Sequence, residues 1–583
     1  MGSGLDYTVK IGGEAGQGIQ TIGDFLGKVF ARSGYDVFTH QDYESRIRGG
    51  HNFLQMRVSD RPVACSRTQA DIVLAFDRQS IAEGAGSLSP AGVIVYDPAM
   101  LKEKHEGPRF LEVPFVELAT QNGGSRIMAN TVATGAVLGM MGVPVNAYMD
   151  VLGEVMAAKG EKIVEENRKA AARGRDYAIE HCKRCGFEMA ATGRPRMLIG
   201  GNAGIGLGAV LSGCTFYSGY PMTPSTGVLL FMAGKAKEYG VVVEQAEDEI
   251  AAVNMVIGAS FAGARAMTAT AGGGFALMVE GVSLAAMTET PLVIAVGQRP
   301  APSTGLPTRT EQGDLLFVIY AGHGEFPKAV FAPGSPEQAL HLTNKAFDLS
   351  EKYQIPAFVL TDQYLADSSW TYERFDLDRI VYKDYRLRDG TGAGGGAGAS
   401  GQVPYKRYAF TVSGVSPLAV PGSARWLVVE DSDEHDEEGH LIEDGETRIK
   451  MVQKRLHLKL PSIRKEIAPP ALYGSRRPEV VLVGWGSTYG VLREAVDVMS
   501  ARREIAFLHF SEVWPFPSMD VFDYLGLLKS AKKTISVESN ATSQFARLLR
   551  VETGFACNEA INRYDGRPYL LETLLEELDG RLA

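Results

Sequence analysis

The chain has 583 residues, 45% apolar and 22% charged, which is the composition of an ordinary globular protein with room for three or four domains. A net charge of −10 without a clustered Lys/Arg face excludes a nucleic-acid footprint, and no uncharged apolar run of about 18 residues exists to span a membrane. Met1-Gly2-Ser3-Gly4-Leu5-Asp6 has neither a basic region nor an apolar core, so no secretory signal is expected, and Asp6 argues against myristoylation.

Residues 7–11 predict a strand, 12–18 a glycine loop and 19–33 a helix, the opening of a doubly wound sheet. Residues 70–76 and 92–97 predict buried strands, and helical patterns follow over 129–141 and 145–179. A polar break at 191–196 starts a second unit with buried runs at 240–244, 292–296 and 355–361. The glycine-rich stretch 390–401 marks a flexible connector, 431–446 is acidic, and a third unit opens near 470 with strands at 479–483, 505–510 and 533–538. The alternation predicts an α/β protein of three doubly wound domains, 1–192, 193–375 and 471–583, joined by a connector over 376–470, with parallel sheets covered on both faces.

Five cysteines are too few for a disulfide framework, so reduced thiols and a cytoplasmic location are expected. Cys182-Lys183-Arg184-Cys185 is a lone Cys-x-x-Cys with no second pair to complete a zinc or iron–sulfur site. It is read as ordinary thiols, and no metal site is expected in this chain.

Candidate chemistry concentrates in the second unit. Tyr220-Pro221-Met222-Thr223-Pro224-Ser225-Thr226 has two prolines that fix φ and hold its hydroxyls in place; on residues alone it is a rigid turn capped by Ser225 or Thr226. Glu247-Asp248-Glu249 precedes a small-residue helix, where first-turn carboxylates are stabilised by exposed N–H groups. Pro302-Ser303-Thr304-Gly305-Leu306-Pro307-Thr308-Arg309-Thr310 is a second braced loop, and either Arg309 or Arg299 could clamp a carboxylate or form a surface ion pair. In the first unit Gly16-Gln17-Gly18 follows a strand but lacks the third glycine of a dinucleotide fingerprint. The string Gly201, Gly204, Gly206, Gly208 has packing spacing rather than nucleotide-binding spacing.

Together the two loops and the acidic helix start resemble the pyrimidine-binding domain of thiamine-diphosphate-dependent 2-oxoacid:ferredoxin oxidoreductases. In that family an activating Glu stands nine residues before a Gly-Ala pair, as Glu249 stands before Gly258-Ala259. The resemblance implies that Glu249 hydrogen-bonds the cofactor's pyrimidine N1′ and favours its imino tautomer. It also implies that Thr223 contacts the 2-oxoacid, that Arg309 (ahead of Arg299) holds its carboxylate, and that Tyr220 and Pro221 line the cofactor site. Met222 replaces the family's Ile, and Thr268-Ala269-Thr270-Ala271-Gly272-Gly273-Gly274 stands where relatives tend to have Thr-Ser-Gly-Pro-Gly. Gly16-Gln17-Gly18 and Tyr43-Glu44-Ser45-Arg46-Ile47-Arg48-Gly49-Gly50 resemble the family's gamma domain, which implies coenzyme A binding by Gly16, Gln17, Gly18, Ser45, Arg46 and Arg48. Residues 483–488 and 538–544 resemble a transketolase-C-like domain with a structural role.

The order gamma-type, pyrimidine-binding, transketolase-C-like is similar to the fused alpha subunit of the two-subunit enzymes, particularly the 2-oxoglutarate type. It implies coenzyme A-dependent oxidative decarboxylation to succinyl-CoA, reversible as carbon fixation. It further implies a beta subunit carrying the diphosphate site, Mg²⁺ and a [4Fe–4S] cluster, ferredoxin as electron partner, and a dimer of alpha-beta heterodimers. The same class acting on pyruvate, a stand-alone thiamine enzyme, and a non-catalytic assembly subunit are the competing readings. The stand-alone enzyme needs a Gly-Asp-Gly…Asn-Asn diphosphate motif in cis, and the chain has none.

Overall fold

The computed structural model describes residues 4–45, 49–121, 124–183, 185–187, 189, 193–387, 405–422 and 426–583. The fold is α/β, and the chain divides into two compact units. The first comprises the chain up to Gly200 with Asp367–Phe375 and Tyr569–Ala583; the second comprises Gly201–Ala366 and Asp376–Pro568. Among the described residues no helix is long and apolar enough to cross a membrane.

The first unit is built on an eight-stranded sheet. Its central strand, Asp6–Ala15, pairs parallel with Ala70–Ala75 on one side and antiparallel with Gly49–Ser59 on the other. The sheet is therefore mixed, not purely parallel. Asp36–Asp42 and Gly49–Ser59 form an antiparallel pair, and Ser369–Tyr372 inserts between Asp36–Asp42 and Met197–Gly200. The central strand also runs past residue 11, through glycines expected in a loop. Gly12 pairs with Phe53 and Gly13 with Asn52, and a Cβ on Gly12 would lie 2.9 Å from Ser80 Cβ. Only glycine lets the flanking helix sit this close to the strand. Val9, Ile11, Leu26, Phe30, Ile72 and Val95 make the core.

Helix Glu161–His181 ends at Cys182, whose N–H donates to Ala178 O at 2.9 Å. The chain then folds back, bringing the two Cα atoms within 5.7 Å, and Cys182 and Cys185 are joined as a disulfide. This corrects the expectation of ordinary thiols at this pair; Cys65, Cys214 and Cys557 are not in a disulfide.

The second unit holds a seven-stranded and a five-stranded sheet. In the larger, Val242–Gln245, Phe216–Gly219, Ala266–Ala271, Leu292–Gln298, Pro356–Asp362 and Ala329–Phe331 run parallel in that spatial order, with Glu512–Trp514 antiparallel at the edge. The smaller sheet is parallel except for Ala471–Gly474, which pairs antiparallel with Ile505–Phe510. Helix Gly201–Leu211 packs as its glycine string implies: a Cβ on Gly204 would meet Pro336 O at 2.5 Å, and one on Gly208 would meet Thr343 Cβ at 2.9 Å.

The glycine-rich stretch 390–401 lies outside the described residues, and the described part of the connector has helices of its own. Helix Gly445–Val452, a π-helical turn at Gln453–Leu458 and helix Lys459–Glu466 run in succession. They bring Lys454 and Lys459 onto Glu289, with Lys454 Nζ 2.6 Å from its Oε1 and Lys459 on its other oxygen. Arg407 donates to Glu289 O at 2.7 Å and to Gln354 Oε1 at 2.8 Å. Glu289, Lys454, Lys459, Arg407 and Gln354 are all buried. Burial alone would raise the Glu289 carboxyl, but Lys454, Lys459 and Arg407 overturn that and hold it below the usual carboxylate range. Burial brings Lys454 down to about 8 despite the pull of Glu289.

Candidate active site at the carboxyl ends of the strands

In an open parallel sheet, ligands bind beyond the carboxyl ends of the strands. In the second unit the segments singled out by sequence stand at those ends. The Tyr220–Thr226 loop leaves Phe216–Gly219, Glu249 follows Val242–Gln245, the Gly272–Gly274 turn follows Ala266–Ala271, and Arg299 follows Leu292–Gln298.

Helix Glu249–Phe261 is capped by Asp248, whose Oδ1 accepts from Ala251 N–H at 2.8 Å. That frees Glu249, the first helical residue, to turn inward. It is 3% exposed, and its Oε1 has no hydrogen-bond partner. Burial raises its carboxyl above the ordinary value against the pull of a backbone hydrogen bond, and the Asp248 charge adds to the rise while Arg299 opposes it. A buried carboxyl with an empty acceptor and a tendency to hold its proton suits exchange of that proton with a ligand nitrogen.

Thr223 sits in the proline-braced loop. The Pro224 ring lies against the sheet, since a Cβ on Gly297 would meet its Cγ at 2.8 Å. Asn202 Nδ2 donates to Pro224 O at 3.0 Å, and Arg299 Nη1 donates to Thr223 O at 2.8 Å. Ser225 does not cap the following helix; its hydroxyl bonds back to Met222 O at 3.0 Å. Tyr220 and Pro221 are exposed at the entry of the loop.

Arg299, bonded to Thr223 O, also feels the charges of Asp314 and Glu249. Arg309 stands farther along, its N–H donating to Leu306 O at 3.1 Å and its stem against Gly566, where a Cβ would meet Arg309 Cβ at 3.1 Å. The turn before it depends on Gly305: its φ is 53°, and a Cβ there would lie 2.6 Å from the Pro300 carbonyl carbon.

The loop end carries two carboxyls given no role above. Burial pushes Asp314 up to about 6, with Arg299 pulling against it, and burial plus the Asp314 charge pushes Glu311 up to about 7. Between them Gln312 is fully buried and satisfied, donating to Trp485 O at 2.9 Å and accepting from Ser539 N–H at 2.9 Å. This pins the loop to the smaller sheet, where Glu538 in turn accepts from Trp485 Nε1 and the Phe545 N–H.

In the first unit Gly16 and Gly18 have φ of 92° and 79°, and Gly18 leads into helix Ile19–Arg32. Gln17 Oε1 accepts from Glu14 N–H at 2.7 Å, and Gln17 O accepts from Asn130 Nδ2 at 3.0 Å. The loop borders a groove of about 510 Å³ walled by Phe76, Met100, Val116, Arg126 and Ile127. Ser45 is exposed; Arg46 and Arg48 lie outside the described residues. Among the described residues no group of three His, Cys, Asp or Glu is placed to hold a metal ion.

Comparison with known proteins decides the family. The chain is 32% identical over 625 aligned residues, covering 97% of this chain and 96% of the relative, to a 2-oxoacid:ferredoxin oxidoreductase subunit alpha of Sulfolobus sp. The chain belongs to the 2-oxoacid:ferredoxin oxidoreductase family. Two family models match parts of this alpha subunit. Residues 207–454 match the family described as pyruvate flavodoxin/ferredoxin oxidoreductase, thiamine diP-binding, and residues 8–177 match pyruvate ferredoxin/flavodoxin oxidoreductase. A 2-oxoglutarate synthase subunit KorA of Methanothermobacter marburgensis is 31% identical over 66% of this chain and 98% of its own. The solved 2-oxoglutarate:ferredoxin oxidoreductase of Magnetococcus marinus, described with 2-oxoglutarate, coenzyme A and succinyl-CoA bound, superposes with a TM-score of 0.89. It is 31% identical, and the match spans 99% of this chain and all of that one. The alpha-subunit class, the thiamine diphosphate-binding domain and the α/β architecture expected from sequence are therefore established. Asp314 and Glu311 were visible in sequence only as the end of a loop, with no spacing signal to mark them.

Proposed function

We propose that this alpha subunit acts on 2-oxoglutarate, converting it with coenzyme A and oxidised ferredoxin to succinyl-CoA, carbon dioxide and reduced ferredoxin. The observation that carries the active-site reading is the buried Glu249 carboxyl, with one unpartnered oxygen, beside the Thr223 loop and Arg299 at the strand ends. The full-length likeness to the 2-oxoglutarate enzyme and the KorA relatives support the substrate.

The Glu249 site fits thiamine diphosphate, because a buried, proton-holding carboxyl with an open acceptor is the partner a pyrimidine nitrogen requires. When bound, the cofactor supplies the nucleophilic carbon and the electron sink for decarboxylation. Glu249 holds the proton exchanged with that ring, and Tyr220 and Pro221 border it. Thr223, fixed by its own carbonyl's bond to Arg299, directs its hydroxyl to the 2-oxoacid. Arg309 pairs with the substrate carboxylate in bidentate fashion. The backbone N–H groups of Gly16, Gln17 and Gly18, with Ser45, Arg46 and Arg48, take the phosphates of coenzyme A. A beta subunit completes the site with the diphosphate half, Mg²⁺ and a [4Fe–4S] cluster, in a dimer of heterodimers.

The test is anaerobic, coenzyme A-dependent viologen reduction by the chain co-purified with its beta subunit, on 2-oxoglutarate and on pyruvate, with Glu249→Ala beside wild type. Activity on 2-oxoglutarate that Glu249→Ala abolishes supports the reading. Activity on pyruvate alone overturns the substrate, and wild-type turnover by Glu249→Ala overturns the residue.

A further inference from the structure

The loop that carries Thr223 is pinned carbonyl by carbonyl. Ser225 Oγ donates to Met222 O at 3.0 Å, Arg299 Nη1 donates to Thr223 O at 2.8 Å, and Asn202 Nδ2 donates to Pro224 O at 3.0 Å. The first two peptide planes flank Thr223 itself. The third is held from another element, since Asn202 is the second residue of helix Gly201–Leu211. Asn202 is 8% exposed and its Oδ1 has no hydrogen-bond partner. Among the described residues, the bond to Pro224 O is the one hydrogen bond its side chain makes. Gly227 makes room for the amide: a Cβ there would lie 2.8 Å from Asn202 Cγ and nearer still to Nδ2. The helix does not depend on this amide for its seat, which Gly204 takes against Pro336 and Gly208 against Thr343.

We propose that Asn202 is a positioning residue for the reaction: by fixing the Pro224 carbonyl it holds the Thr223 hydroxyl where the 2-oxoacid binds. The pyrrolidine ring sets φ at Pro224, so between the Thr223–Pro224 and Pro224–Ser225 planes only the ψ of Pro224 is free to turn. A bond to Pro224 O fixes that torsion. The ring is in turn pressed on the sheet, where a Cβ on Gly297 would meet Pro224 Cγ at 2.8 Å and Ser225 N at 3.4 Å. Without the amide, Pro224 O loses its partner in a buried setting, and the plane turns to find another, carrying Thr223 with it. A reacting group displaced by about 1 Å loses roughly 100-fold in rate, so a small turn is enough to be read in kinetics.

This rests on the reading of Thr223 as the residue that meets the 2-oxoacid, and the experiment separates the two. Steady-state viologen reduction with 2-oxoglutarate and with pyruvate, and hydrogen exchange of the 220–228 segment, are followed in the alpha-beta complex. The variants are Asn202→Ala, Gly227→Ala, Gly234→Ala, Thr223→Val and the double variant Asn202→Ala with Thr223→Val. In Asn202→Ala and Gly227→Ala, kcat/KM for the 2-oxoacid falls by about 10- to 100-fold, KM for coenzyme A stays at the wild-type value, and exchange of the segment quickens. Gly234→Ala, on the same helix but with nothing within 4 Å of its Cβ, matches wild type. Thr223→Val loses at least as much as Asn202→Ala, and adding Asn202→Ala to it costs nothing further. A merely structural role produces neither that non-additivity nor the split between the two substrates. Gly227→Ala carries the test if Asn202→Ala fails to fold, because alanine is favoured within a helix. Wild-type values in both Asn202→Ala and Gly227→Ala beside an impaired Thr223→Val overturn the proposal alone, as does a double variant in which the two losses multiply. A Thr223→Val enzyme with wild-type turnover overturns the Thr223 reading and the proposal with it.

Discussion

Gly274→Ala tests the active-site geometry with a single methyl group. The added Cβ would sit 2.8 Å from Glu249 Cδ, with the Thr270 hydroxyl and the Glu249 Oε1 nearer still, whereas ordinary contact begins at about 3.4 Å. Thr270 lies within the strand Ala266–Ala271 and cannot retreat with it, so the Glu249 carboxyl yields by roughly 1 Å. Overpacking of this kind costs about 1–3 kcal/mol. Replacing a helical glycine by alanine returns up to about 1 kcal/mol, so the fold survives. A carboxyl misplaced by about 1 Å costs roughly 100-fold in turnover. Gly273→Ala is the matched control, because its Cβ meets nothing nearer than Ser303 O at 3.7 Å. Viologen reduction gives the rates, and thermal melts of the same complexes give the stabilities. A well-folded Gly274→Ala enzyme with wild-type turnover, or a Gly273→Ala enzyme equally impaired, would refute the reasoning.

Glu249→Gln keeps the side-chain volume but removes the exchangeable carboxyl proton; turnover falls by about 10²-fold or more while the melting temperature stays within a few degrees, and retained turnover counts against Glu249. Asp314 titrates near 6 in the fold against an ordinary 3.8, so the stability it contributes is complete below the unfolded value and lost as pH rises through about 6. Asp314→Asn therefore matches wild type near pH 4 and exceeds it by up to about 3 kcal/mol above pH 7. Urea melts across that range check this, and a pH-independent difference contradicts it. Glu289→Gln leaves buried Lys454, Lys459 and Arg407 without their anion and costs about 3–5 kcal/mol, read as a lower urea midpoint; an unchanged midpoint is the contrary result.

Local chemistry was legible in sequence wherever one segment carries it. Asp248 caps the helix and Glu249 begins it, as acids in a first helical turn imply, and the prolines around Thr223 hold a loop. What sequence could not supply was the meeting of segments. Glu249 and Asp314 both stand against the first turn of helix Gly272–Met287 from segments far apart in the chain, and strand order does not follow chain order: Ala329–Phe331 lies outside Pro356–Asp362. Ser369–Tyr372 has the same character, since its partner Asp36–Asp42 is more than three hundred residues earlier. Gly12 and Gly13 look like loop residues until the close approach of Ser80 to the first and of Phe76 to the second is seen. Nothing in the sequence marks Arg407, Lys454 and Lys459 as buried, yet all three are.

The knot around Glu289 also bears on how such a chain can change over evolutionary time. Loss of the acid alone strands three buried cations, and loss of one lysine alone leaves the others closer to balance with the single carboxylate. The acid is therefore the last member that can be lost, and the connector's lysines can drift only while it persists. Homologues with an apolar residue at the position of Glu289 should carry apolar replacements at those of Lys454 and Lys459 as well, whereas homologues that keep the acid can lose one lysine, a one-way dependence across more than 160 residues of sequence.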